Sequence, residues 1–159
     1  MDTSVALVEA YLHINGYFTV TEYPIVEAMG HGGYRAATDL DILAVRFPAA
    51  RRSISNQHGR KMEVVFHPDP VLCDDEKVVD LIIAEVKEGR AELNRGAREP
   101  AVLKAAFERF GCCPPEVVDQ SVEHLIQHGE VVHSSGHRLR LVAFGTSTKE
   151  PLGYPCTTI

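Results

Sequence analysis

Apolar positions along this chain follow two periods. Residues 4–14 put Val5, Val8 and Leu12 on one helical stripe, with Thr3 or Ser4 as the cap and Asn15-Gly16 as the stop. Residues 17–26 alternate β-branched or aromatic side chains with polar ones, the pattern of a strand, and run to a glycine-rich turn at 30–33. Two apolar runs, 39–47 and 78–87, predict strands, and a further short strand is expected at 62–66. Pro100 begins a helix over 101–110 that Gly111 stops, and Pro114-Pro115 begins another over 116–128 that Gly129 stops. A hairpin follows, 131–133 with 138–144, turning at Ser135-Gly136. This order predicts one α/β domain over 1–159, a mixed central sheet flanked by helices, with its core at about 4–144 and a tail from 145 to 159.

The charges that interrupt the two apolar strands carry the chemistry. Side chains alternate across a strand, so Asp39, Asp41, Leu43 and Val45 share one face of the first, and Leu81, Ile83, Glu85 and Lys87 one face of the second. If the strands pair antiparallel, Asp41 lies beside Glu85 and Lys87. Ile82, Ala84 and Val86 make the other face apolar as well, so the second strand reads as buried on both sides. Two carboxylates and an ammonium at the rim of an apolar sheet face are costly to bury, and they suit a hard divalent cation that activates water.

Composition narrows the setting. The 159 residues are 45% hydrophobic, enough for an ordinary core. No run is long and apolar enough for a membrane span and no secretory leader is visible, so a cytoplasmic protein with no membrane partner is expected. Cys73, Cys112, Cys113 and Cys156 lack paired spacing and read as free thiols. The net charge of −6 argues against general affinity for nucleic acid, yet Arg46, Arg51, Arg52, Arg60 and Lys61 fall in one stretch without an acid. That stretch is either a phosphate-binding patch or a solvated loop.

The helix carrying Glu9, the strand carrying Asp41 and the strand ending Glu85-Val86-Lys87, followed by helix and strand, resemble the PD-(D/E)XK restriction-endonuclease-like superfamily, in particular its single-domain branch that includes the Holliday junction resolvases. The resemblance implies a nuclease hydrolysing phosphodiester bonds, on DNA above all. It implies that Asp41 and Glu85, with the Val86 carbonyl, bind Mg²⁺ or Mn²⁺. Lys87 would then orient or deprotonate water or stabilise charge on the phosphorus, and Glu9 would add a carboxylate. Leu40 stands where the family name prescribes proline. Asp39 is expected to be an outer or surface carboxylate, and Arg46, Arg51, Arg52, Arg60 and Lys61 to hold phosphates, with a homodimer as a further expected partner state.

Other chemistries are weaker in the sequence. His124, His128, His133 and His137 with Cys112 and Cys113 invite zinc, but no Cys-X₂-Cys or His-Glu-X₂-His spacing occurs, and solvated histidines are the expectation. No nucleophile elbow or phosphate-cradling loop is present. Residues 101–144 also resemble a winged helix, which would make the chain a binding or regulatory module, although its candidate recognition helix carries Glu116, Asp119 and Glu123. A nuclease-like fold whose chemistry has lapsed is the third alternative.

Overall fold

A computed structural model of the chain describes residues 2–50, 68–72 and 77–148, and the backbone of 156–158. Helix α1 (Thr3–Ile14) starts where the Asp2 carboxylate accepts the Ser4 amide at 2.9 Å, so the cap is Asp2 rather than Thr3 or Ser4. Its Val5, Val8 and Leu12 stripe is buried as expected. Strands β1 (Phe18–Ala28) and β2 (Tyr34–Arg46) form a long antiparallel hairpin, both extending further toward the turn than their apolar patterns do. The outer part is exposed, so no apolar alternation marks it.

Strand β3 (Val79–Val86) pairs antiparallel with β2. The chain then crosses one face of the sheet through α2 (Pro100–Phe110) and α3 (Val118–His128). It returns as β4 (Glu130–Val132) and β5 (His137–Gly145), and β5 runs parallel to β3. The sheet order is β1-β2-β3-β5-β4, with β6 (Cys156–Thr158) pairing parallel to β5. This is a mixed sheet flanked by helices. The two helices and the hairpin of the winged-helix reading are built into it, because β5 sits beside β3 in the centre. The strand expected at 62–66 lies outside the described residues.

Each face of the sheet carries its own apolar layer. Val8 and Leu12 of α1 pack with Ile42, Ala44, Ile82, Ala84, Val142 and Phe144 on one side. Leu103, Phe107 and Leu125 of α2 and α3 pack with Leu43, Leu81, Ile83, Leu139 and Leu141 on the other. Strand β3 is therefore covered on both faces and buried from Asp80 to Val86.

Candidate active site at the end of β3

The β2–β3 ladder pairs Ile42 with Ala84, Leu43 with Ile83 and Val45 with Leu81. One step beyond its last pair, Asp41 meets Glu85. The Asp41 carboxylate accepts the Val86 amide through Oδ2 at 2.8 Å, so the side chain satisfies the first β3 N–H past the ladder. In an antiparallel pair a residue's N–H and C=O face the same neighbour, which turns the Val86 carbonyl toward β2 as well.

Glu85 is almost fully buried, at 2% side-chain exposure, and its Oε1 accepts from Lys87 Nζ at 2.5 Å. The same oxygen accepts from Asn94 Nδ2, and the Asn94 Oδ1 caps the turn at 96–98 by accepting the Ala97 amide at 2.6 Å. Asn94 thus ties Glu85 to the segment before α2. It stands in a mixed-charge stretch without period, so no pattern in the sequence singles it out. Among the described residues, Asp41 Oδ1 and Glu85 Oε2 carry no hydrogen bond.

The electrostatics of the cluster are unbalanced. Burial pushes the Glu85 carboxyl up from its ordinary value, and the nearby Asp41 charge adds to this against the relief that Lys87 and Asn94 supply. Burial pulls the Lys87 ammonium down, but the hydrogen bond and charge of Glu85, with Asp41 behind it, outweigh that and leave it raised. The two shifts read the ion pair in opposite senses. The Lys87 direction is the one that describes the pair, since Glu85's is set by burial and by a second carboxylate. Besides burial, two negative groups share one ammonium here, an arrangement that a further cation would relieve.

Beyond Lys87 the site opens into a groove of about 700 Å³ lined by Lys87, Glu88, Gly89, Arg90, Glu92, Ser147 and Thr148. Its floor is a short parallel seam, in which Ala91 N donates to Ser147 O and Thr146 N to Gly89 O, both at 2.8 Å.

Two of the expected site residues are elsewhere. Glu9 projects from α1, which covers the opposite face of the sheet; its Oε1 accepts from the Thr19 hydroxyl at 3.0 Å and lies 3.9 Å from His13 Nε2. One position off the buried stripe places Glu9 over β1, not over the end of β3. Arg46 is 1% exposed, and among the described residues its Nε and Nη1 are buried without hydrogen-bond partners, so it cannot present its guanidinium to a phosphate. It pairs in register with Asp80, on the α1 face. Arg51, Arg52, Arg60 and Lys61 lie outside the described residues. Asp39 is exposed, in keeping with a surface carboxylate.

The register partner of Arg46, Asp80, is the centre of an ionic core that sequence reading missed. Asp80, with no exposure, accepts from Arg138 Nε at 3.0 Å and from Arg140 Nε at 3.1 Å through Oδ1. Its Oδ2 accepts from Arg140 Nη2 at 2.5 Å and from the Tyr17 hydroxyl. Arg140 also donates to the Leu72 carbonyl at 2.7 Å. Each of these groups looks in sequence like an ordinary polar position on a strand.

Comparison with family models, curated proteins and solved structures finds no match to this chain.

Proposed function

We propose that the chain is a metal-dependent nuclease of the PD-(D/E)XK kind, with Asp41, Glu85 and Lys87 as its working residues. The observation that carries this reading is the meeting of Asp41 with buried Glu85 and its partly exposed partner Lys87 at the open end of β3. The donors available are all oxygen, which fits Mg²⁺ or Mn²⁺. Asp41 Oδ1, Glu85 Oε2 and the Val86 carbonyl are the groups that would hold the ion. Bound there, it supplies a more acidic water and neutralises charge on a scissile phosphate.

The residues of the chain set the remaining roles. The raised Lys87 stays an ammonium at neutral pH, which favours charge stabilisation over proton abstraction. Its tether to Glu85 keeps that charge at the mouth of the groove, where a phosphodiester backbone could lie. Asn94 fixes one oxygen of Glu85 and so directs the other. Contacts to phosphates would position nucleic acid without reading its sequence.

The test is Mg²⁺-dependent cleavage of duplex, branched and single-stranded DNA by the wild type and by Asp41→Ala, Glu85→Ala and Lys87→Ala. Each substitution is expected to abolish cleavage while circular dichroism shows the fold retained. Full activity in Glu85→Ala would remove the mechanism.

One observation favours a second reading. The Val86 amide uses one oxygen of Asp41, and Lys87 with Asn94 occupies one oxygen of Glu85, so the cluster can also serve as structural ties in an inert, assembly-type subunit. Calorimetry with Mg²⁺ and Mn²⁺ separates the two: heat of binding in the wild type that Asp41→Ala lacks supports the nuclease, and absence in both supports the subunit.

A further inference from the structure

We propose that Cys112, Cys113 and His133 form a zinc site that pins the end of α2 to the β4–β5 hairpin. One donor atom from each of the three lies within 4.8 Å of the others, the one such group of three or more among the described residues. A tetrahedral Zn²⁺ with sulfur and nitrogen ligands holds its donors roughly 3.5–3.8 Å apart. Small side-chain rotations close that difference.

The backbone presents these donors on two short, well-fixed segments. Gly111 ends α2 in the left-handed region at φ 61° and turns the chain so that the two cysteines follow at once. His133 sits in the hairpin turn, where its amide donates to the His137 carbonyl at 2.8 Å and its carbonyl accepts from Gly136 at 3.0 Å. His137 in turn places Nδ1 2.9 Å from the Cys112 carbonyl, tying the two segments together beside the site.

The donor chemistry suits a borderline-soft cation. Among the described residues, the Nε2 of His133 is buried with no hydrogen-bond partner, an unfavourable state for a polar atom that a metal ion would relieve. Burial, then the neighbouring His137, holds the His133 ring below its ordinary value, which keeps it in the neutral form that ligates metal. Cys112 is 4% exposed, and burial with the adjacent Cys113 pushes its thiol up to about 12. A thiolate there needs a cation, and the titratable groups facing it are Cys113, His133 and His137, none of which carries a fixed positive charge. Cys113 is half-buried and gives the ion a way in from solvent. Three protein ligands leave the fourth position to water.

Binding is a proton exchange with no redox step: Zn²⁺ replaces the protons of the two thiols, His133 ligates as it stands, and about two protons are released. Affinity therefore rises with pH. His124 and His128 take no part, since they lie against one another, tilted by 42° and 4.3 Å apart between ring centroids, on the exposed side of α3. Adjacent cysteines with a histidine twenty positions on match no zinc-finger spacing, so pattern reading passes over the group. The site is also separate from the carboxylate cluster: His137 pairs with Val79, six residues along β3 from Glu85, or roughly 20 Å.

The experiment is zinc titration of the metal-free full chain against a chromophoric chelator, with Co²⁺ as a spectroscopic substitute. The expected result is one zinc per chain, about two protons released, and thiolate-to-cobalt charge-transfer bands. Cys113→Ser and His133→Gln should each weaken binding by at least about tenfold, whereas Asp41→Ala should bind zinc as the wild type does. No zinc uptake by the wild type, or unchanged uptake in both Cys113→Ser and His133→Gln, overturns the proposal. Cys113 and His133 are partly exposed and carry the test without requiring a Cys112 variant to fold.

Discussion

At the scale of single residues, this protein places charge where burial makes it expensive. Glu85 shows the consequence for pH. Its folded value is raised, so the folded state holds its proton more tightly than the unfolded chain does. Glu85's contribution to stability is present below the ordinary glutamate value of 4.5 and is lost as pH climbs through the raised folded value. A cation at the site reverses that loss, so the gain in melting temperature from Mg²⁺ should be small in acid and grow toward neutral pH. Thermal melts with and without Mg²⁺ across that range check this, and a gain independent of pH would count against a metal ligated by Glu85.

Asp80 and Arg46 make a second contrast. Asp80→Asn removes the buried carboxylate that Arg138 and Arg140 share and should cost about 3–5 kcal/mol. Arg46→Met removes a buried guanidinium whose Nε and Nη1 are unsatisfied, and should be neutral or stabilising. Urea denaturation of both variants measures the difference. The same pair shows why the arginine was misread. An acid-free stretch looks like a surface patch, while the burial of Arg46 beside Asp80, thirty-four positions later, is visible only once β2 and β3 are in register.

At the scale of elements, the helices and the apolar strands were legible because their burial is periodic. The α1 stripe, the proline starts and glycine stops of α2 and α3, and the register that joins Asp41 to Glu85 all follow from side-chain alternation. A 3₁₀ turn covers 115–117, so α3 begins two residues later than the 116–128 span predicts, since Pro114-Pro115 marks a start without distinguishing the two geometries. The exposed half of the β1–β2 hairpin was not legible, because backbone pairing without burial leaves no hydrophobic signature. Nor was the seam between 89–91 and 145–147, which depends on close approach rather than on pattern. A Cβ at Gly145 would stand 2.5 Å from Ala91 N and 2.6 Å from Gly89 O, both rigid backbone atoms. Gly145→Ala should therefore cost about 1–3 kcal/mol in chemical denaturation and distort the groove beside Lys87. A variant as stable as the wild type would show that the seam is loose.

At the scale of the whole molecule, the sheet sorts its charges by face and by end. The Asp80 network lies under α1 at the start of β3, and the Asp41–Glu85–Lys87 cluster lies on the other face at its finish. The class of fold could be read from the order of elements. Which face each ionisable group takes could not, as Glu9 demonstrates: a helix position beside an apolar stripe can lean to either flank, and the partner that decides it, Thr19, comes from a neighbouring strand. No helix among the described residues is long and apolar enough to cross a membrane.

Strand β3 thus carries one buried acid pointing each way, Asp80 toward one layer and Glu85 toward the other. A shift by a single residue would swing both into oil at once, parting the first from its arginines and the second from its lysine. The strand is keyed like a bolt with a tooth on either side, so mispaired folding intermediates are penalised twice, and the carboxylate cluster at one end inherits its alignment from an ionic lock at the other.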